Sequence, residues 1–161
     1  MFQFHHGASI KIDILLKAVR ENKEGVVLCM DCDAIVLPGF GQMIREWLTE
    51  PNDSWDAIFS AEGAIATDIW RSNVNIGFCL FRCTPRCTSF LESCSCAVRR
   101  HPDTWDQHEV NELLSESPDL EFRVIPQERL RLFHFHGPIS VFQKEEQLKR
   151  AFLAHYGELR E

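Results

Sequence analysis

Two aspartates one residue apart, Asp31 and Asp33, end the apolar run in VVLCMDCDAIVLPG (26–39). Like charges so close raise the pKa of one carboxyl unless a cation is present. Oxygen ligands suit Mn²⁺ and Mg²⁺, and such ions bind through one or two carboxylates plus substrate phosphates. A solvated turn is the simpler reading of Asp-x-Asp. Such a turn, however, does not need VVLCM before it and IVL after it. His134, in LFHFHG just before a Gly-Pro break, adds an imidazole to the same account. Two carboxylates and an imidazole make a mixed site that tolerates Mn²⁺. A histidine in an aromatic strand is more often a satisfied core residue, and His136, on the opposite strand face, carries the same simpler reading.

Two further clusters have the chemistry of a hydroxylated ligand. In SNVNIGFCLF, Asn73 and Asn75 precede a strand and Gly77 sits just inside it. Asparagine bonds hydroxyls, and a strand glycine lets something approach the backbone closely. A turn followed by an irregular strand explains the pattern equally well. Trp105-Asp106-Gln107 places an aromatic, an acid and an amide at a helix start. That trio suits a sugar, although helix capping accounts for Asp106 as readily. His101, His108 and His155 read as surface residues.

The elements that must position these groups follow from periodicity. Residues 8–22 place Ile10, Ile14, Leu15, Ala18 and Val19 at helical spacing. Residues 26–30 form a short, continuously apolar strand, the pattern of a sheet buried on both faces. Pro38-Gly39 breaks the chain, and 40–49 reads as a second helix. Strands are expected over 56–61, 75–82, 121–126 and 132–137, with helices over 85–99, 104–116 and 142–157. Alternating strands and helices predict an α/β class, a mixed, mainly parallel sheet flanked by helices, and a single domain over residues 1–161. Ligands in such sheets sit beyond the carboxyl ends of strands, where Asp31 and Asp33 fall.

Composition narrows the partners. The 161 residues are 45% hydrophobic and 25% charged, as in a soluble globular protein, with a net charge of −7. No basic stripe appears, which argues against nucleic acid. No apolar run approaches the length of a membrane span. The N-terminal MFQFHHGAS lacks the basic and apolar regions of a signal peptide. A complete chain of this kind is expected in the cytoplasm, while a piece of a longer polypeptide fits the sequence equally. The seven cysteines (29, 32, 79, 83, 87, 94, 96) do not form the two tidy pairs of a structural zinc site. Disulfides are not expected without secretion.

Taken in order, these motifs resemble the GT-A glycosyltransferases that use nucleotide sugars. The likeness is to the α-galactosyl/α-mannosyl-transferase group and the related nucleotide-diphospho-sugar transferases. It rests on Lys11 in KIDILLKAV, Asp31-Cys32-Asp33, Asn75-Ile76-Gly77, Asp106-Gln107, His134-Phe135-His136-Gly137 and the segment IPQERL (125–130). It spans residues 7–137. The resemblance implies a GT-A-like, Rossmann-like sheet and a metal-dependent transfer of a sugar from a UDP- or GDP-linked donor to a hydroxyl on a glycan, protein or small molecule. It implies Mn²⁺ or Mg²⁺ on Asp31, Asp33 and His134, with Asp31 toward the ribose or sugar. Lys11 would reach the nucleotide or phosphate, Asn75 and Gly77 would line the donor-sugar pocket, and Asp106 and Gln107 would contact sugar hydroxyls or the reacting carbon. Retention of anomeric configuration is expected.

The chain departs from that group in three ways. The group's N-terminal β-α-β portion would precede residue 1, a cysteine stands inside Asp-x-Asp, and the basic residue after the late histidine motif comes only at Lys144. A non-catalytic nucleotide-sugar or carbohydrate-binding remnant therefore stands as the alternative. A haloacid-dehalogenase-type phosphatase also starts from an apolar strand ending Asp-x-Asp. That chemistry expects Thr or Val two residues after the second aspartate, where this chain has Ile35, and a later acidic pair that is not found.

Overall fold

In the computed structural model, residues 5–32, 34–50, 54–63, 69–70 and 73–133 are described. The elements run α1 (His5–Glu21), β1 (Val26–Met30), β2 (Ile35–Val36), α2 (Phe40–Thr49), β3 (Ala57–Ala61), β4 (Ile69–Trp70) and β5 (Val74–Arg82). They continue through α3 (Pro85–Arg100), α4 (Asp106–Glu116), β6 (Phe122–Ile125), a 3₁₀ turn at Gln127–Arg129 and β7 (Leu132–Phe133). Five strands form one sheet in the order β1-β5-β3-β6-β4, and β2 pairs with β7 in a second. The expected strand at 132–137 is described only to Phe133, and the expected helix over 142–157 lies outside the described residues.

The α/β class holds, but the mainly parallel sheet does not. Within the five-stranded sheet only β3 and β6 run parallel, while β1–β5, β5–β3 and β6–β4 are antiparallel. The reason lies in the connections. A parallel pair needs a long crossover, and the connection from β3 to β6, which includes α3 and α4, provides it. β1 corrects a second expectation. It lies at the sheet edge among the described strands and is only partly buried. The continuously buried strand is β3.

Alternating side chains split the core between the two faces of the sheet. Val27 and Cys29 of β1, Cys79 and Phe81 of β5, and Ala57 and Phe59 of β3 pack with Ile12, Leu15 and Val19 of α1 and with residues of α3 and α4. The opposite face buries Phe78, Leu80, Ile58 and Ile125 against Phe40, Met43 and Trp47 of α2. The result is a helix–sheet–helix sandwich. α2 begins at Gly39, whose φ of 86° suits glycine at the Pro38-Gly39 break. α3 begins with Pro85 after Thr84, whose side chain accepts from the Cys87 N–H.

Phe59 centres the larger face. Its ring meets the edges of Phe81 at 5.4 Å and Phe122 at 5.9 Å. Phe59→Ala removes both contacts and leaves a cavity, so urea unfolding should register a loss of about 3–5 kcal/mol at an unchanged m-value. A loss below about 1 kcal/mol would mean that the two aromatic contacts do not hold this face together.

Candidate functional site

The site grows from an irregularity in β5. Against β3, the register runs Ala57↔Phe81, Ile58↔Leu80, Phe59↔Cys79, and then jumps to Ser60↔Asn75. Ile76, Gly77 and Phe78 are thus extra residues on the β5 side. An odd insertion reverses the two-residue alternation. Val74 and Ile76 therefore face the same helical layer as Cys79 and Phe81. The Asn-x-Gly motif is the sequence of this bulge.

A bulge takes backbone groups out of the ladder, and buried orphans are costly. Here side chains take most of them. Ile76 C=O accepts from Lys11 Nζ at 2.8 Å, and Ile76 N–H donates to Gln107 Oε1 at 3.4 Å. Gly77 N–H donates to the Asn75 side-chain oxygen at 2.8 Å, while Gly77 C=O accepts from the Asp31 N–H at 2.9 Å. Ser60 Oγ donates to Asn75 C=O at 2.9 Å. Five of the residues singled out in the sequence, Lys11, Asp31, Asn75, Gly77 and Gln107, are therefore joined in one network.

Charge gathers in the same corner. Lys11 Nζ bonds Asp31 Oδ1 at 2.6 Å, with both side chains partly exposed. Burial alone would pull the Lys11 pKa down, but the bond to Asp31 and its charge overcome that and raise it, so the ammonium persists. Asp106, the first residue of α4, is half-buried, and burial pushes its carboxyl above the usual range. Lys11 pulls against that shift, and Asp31 adds to it. The expected capping role of Asp106 is not observed. Trp105 stands at the N-cap without a side-chain bond, and Asp106 Oδ1 accepts from the neighbouring Gln107 N–H at 3.0 Å. Trp105 itself is 74% exposed.

Two members of the network were not legible as site residues. Glu62, just past β3, accepts at Oε2 from Asn75 Nδ2 and Gln107 Nε2, each at 2.9 Å. Asn111 accepts from Val74 N–H at 2.8 Å and donates to Val74 C=O at 2.9 Å, clamping the strand where it enters the bulge. Their signals were position: Glu62 follows a strand's carboxyl end, and Asn111 lies one helical turn beyond Gln107. Other acids fall elsewhere. Asp56 is buried and takes the Glu121 N–H and Arg86, and Asp13 pairs with Ser95 and Arg99.

Asp31 raises the proton affinity of Asp106, and Lys11, bonded to Asp31, lowers it. Asp33 and His134 lie outside the described residues, and no group of three or more His, Cys, Asp or Glu side chains that could hold a metal occurs among the described residues. No helix among them is long and apolar enough to cross a membrane.

A model of the nucleotide-diphospho-sugar transferase family matches residues 10–153, which covers most of α1, β1 with Asp31 after it, the β5 bulge and α4. The chain belongs to that family. No curated protein and no solved structure matches it.

The electrostatics of Asp106 can be tested directly. A carboxyl titration followed by ¹³C NMR should place Asp106 above ordinary aspartates. Lys11→Met should move its midpoint further up, because the cation that favours the charged form is gone. Asp31→Asn should move it down. An Asp106 midpoint indifferent to both substitutions would break the coupling.

Proposed function

We propose that this protein is a metal-dependent glycosyltransferase that moves a sugar from a nucleotide-diphosphate donor to a hydroxyl acceptor with retention of anomeric configuration. The observation that carries this reading is the convergence of Lys11, Asp31, Asn75 and Gln107 on the β5 bulge, in a chain of the nucleotide-diphospho-sugar transferase family. In this reading the fold is GT-A-like and Asp31-Cys32-Asp33 is its Asp-x-Asp motif. Family membership favours transfer over phosphatase chemistry.

The roles follow from charge and position. Asp33, His134 and the carboxylate of Asp31 would hold Mn²⁺ or Mg²⁺, whose contribution is to stabilise negative charge on the departing diphosphate. Lys11 stays protonated beside Asp31, so its ammonium offsets charge as the donor's C–O bond breaks, when that charge is greatest. Asn75 is fixed by Ser60, Glu62 and Gly77, and it orients donor-sugar hydroxyls from a rigid strand margin. Gln107 does the same from the first turn of α4. Asp106, whose burial favours its neutral form, faces the choice of protonation on which a carboxyl at the reacting carbon depends. The acceptor hydroxyl enters on the face the diphosphate leaves.

One observation favours a second reading. Lys11 already occupies Asp31 Oδ1 at 2.6 Å, which suits a protein that binds nucleotide sugars without turning them over. Turnover separates the two. Incubation with a panel of UDP- and GDP-sugars and Mn²⁺ should release nucleoside diphosphate. Asp33→Ala or removal of metal by EDTA should reduce the rate at least about 100-fold. Saturable donor binding with no release under any condition would replace the transferase by the binding protein.

A further inference from the structure

Outside the site, one pair of nucleophilic side chains is placed for chemistry of its own. Cys29 of β1 and Cys79 of β5 are direct partners across the antiparallel pair. The Asp31 N–H bonds Gly77 C=O, and the Cys83 N–H bonds Gly25 C=O. Both pairs lie an even number of residues from Cys29 and Cys79, so the alternation of antiparallel ladders makes 29/79 a hydrogen-bonded pair as well. Such partners stand about 5.5 Å apart at Cα, within the Cα separations that disulfides span, and the bond would draw the two strands together by roughly 1 Å at Cβ. Their side chains point to one face, into the helical layer. Both cysteines are free thiols.

The two are not equally approachable. Cys79 is buried at the centre of β5. Cys29 is half-buried on the edge strand and lines an open groove of about 530 Å³ between α1 and β1, with Ile10, Ile14 and Leu28. A small oxidant enters that groove and meets Cys29 first.

We propose that Cys29 and Cys79 form a reversible oxidation site: a peroxide oxidises Cys29, and Cys79 resolves it to a cross-strand disulfide. In the first step the Cys29 sulfur attacks one oxygen of hydrogen peroxide. The O–O bond breaks, one water leaves, and Cys29 becomes the sulfenic acid. In the second, the Cys79 sulfur attacks the Cys29 sulfur, the S–O bond breaks, and the hydroxyl departs with the Cys79 proton as a second water. Two thiols are oxidised and one peroxide is reduced. The bond would tie β1 to β5 two residues before Asp31 and two residues after Gly77. It would thus lock together the two strands that carry the candidate site, and a dithiol would release them.

Peptide mapping tests this on the full chain. The reduced protein is exposed to an equivalent of hydrogen peroxide, blocked with N-ethylmaleimide and digested. The expected product is a cross-linked peptide joining Cys29 to Cys79, with two fewer alkylated thiols per chain, both reversed by dithiothreitol. In Cys29→Ser, under the same treatment, Cys79 should remain a free thiol, because it depends on Cys29 for oxidation. Recovery of both cysteines alkylated in the oxidised wild type, or of Cys29 joined to Cys32, would overturn the proposal. Oxidation of Cys79 in Cys29→Ser would overturn its order of events.

Discussion

The bulge at Ile76–Phe78 is the constraint on which the candidate site depends. Three extra residues on β5 remove backbone donors and acceptors from the β3 ladder. Leaving such groups buried and unmet would cost roughly 1–3 kcal/mol each. The chain meets them with the side chains of Lys11, Asn75 and Gln107, drawn from α1, from β5 itself and from α4. Structural need and candidate chemistry therefore coincide. The same Lys11 that satisfies Ile76 C=O also binds Asp31, and the same Gln107 that satisfies Ile76 N–H also holds Glu62.

That double duty ties the corner together through its polar groups. β1 and β5 carry Asp31 and the bulge, and both pack one face onto α1, α3 and α4. α4 is fixed in turn by Asn111 on Val74. Three elements distant in sequence are fastened to one strand within a few residues. A ligand meeting Lys11, Asp31 and Gln107 meets groups already oriented by backbone bonds, so less ordering remains to be done on binding. The cost is electrostatic: two carboxylates share one ammonium, and burial holds the Asp106 carboxyl above its usual range.

Much of this was legible in the sequence, for reasons that can be named. β1 at 26–30 and α2 at 40–49 were read with the bounds they have, because an apolar run between breakers and a helical period are local signals. Asp31, Asn75, Gly77 and Gln107 were singled out by residue type and spacing and Lys11 by the family resemblance, and the five meet in space. Strand direction was not legible. Alternation of elements suggested parallel pairs, but β3 and β5 are joined without an intervening helix among the described residues and run antiparallel. The edge position of β1 was hidden for a related reason, since burial of a strand depends on its neighbours. Glu62 and Asn111 were missed because their function is to bond other polar groups. Asp33 and His134 lie outside the described residues.

In the proposed function, the β5 bulge and the end of β1 form one side of a metal–nucleotide site. The most direct measurement is paramagnetic line broadening in an amide NMR spectrum, with Mn²⁺ added in the presence of UDP. The account predicts that the amides of Asp31, Ile76, Gly77 and Gln107 broaden at the lowest Mn²⁺ concentrations, and that the far ends of α3 and β6 do not. Broadening centred elsewhere, or spread evenly over the acidic surface, would contradict it.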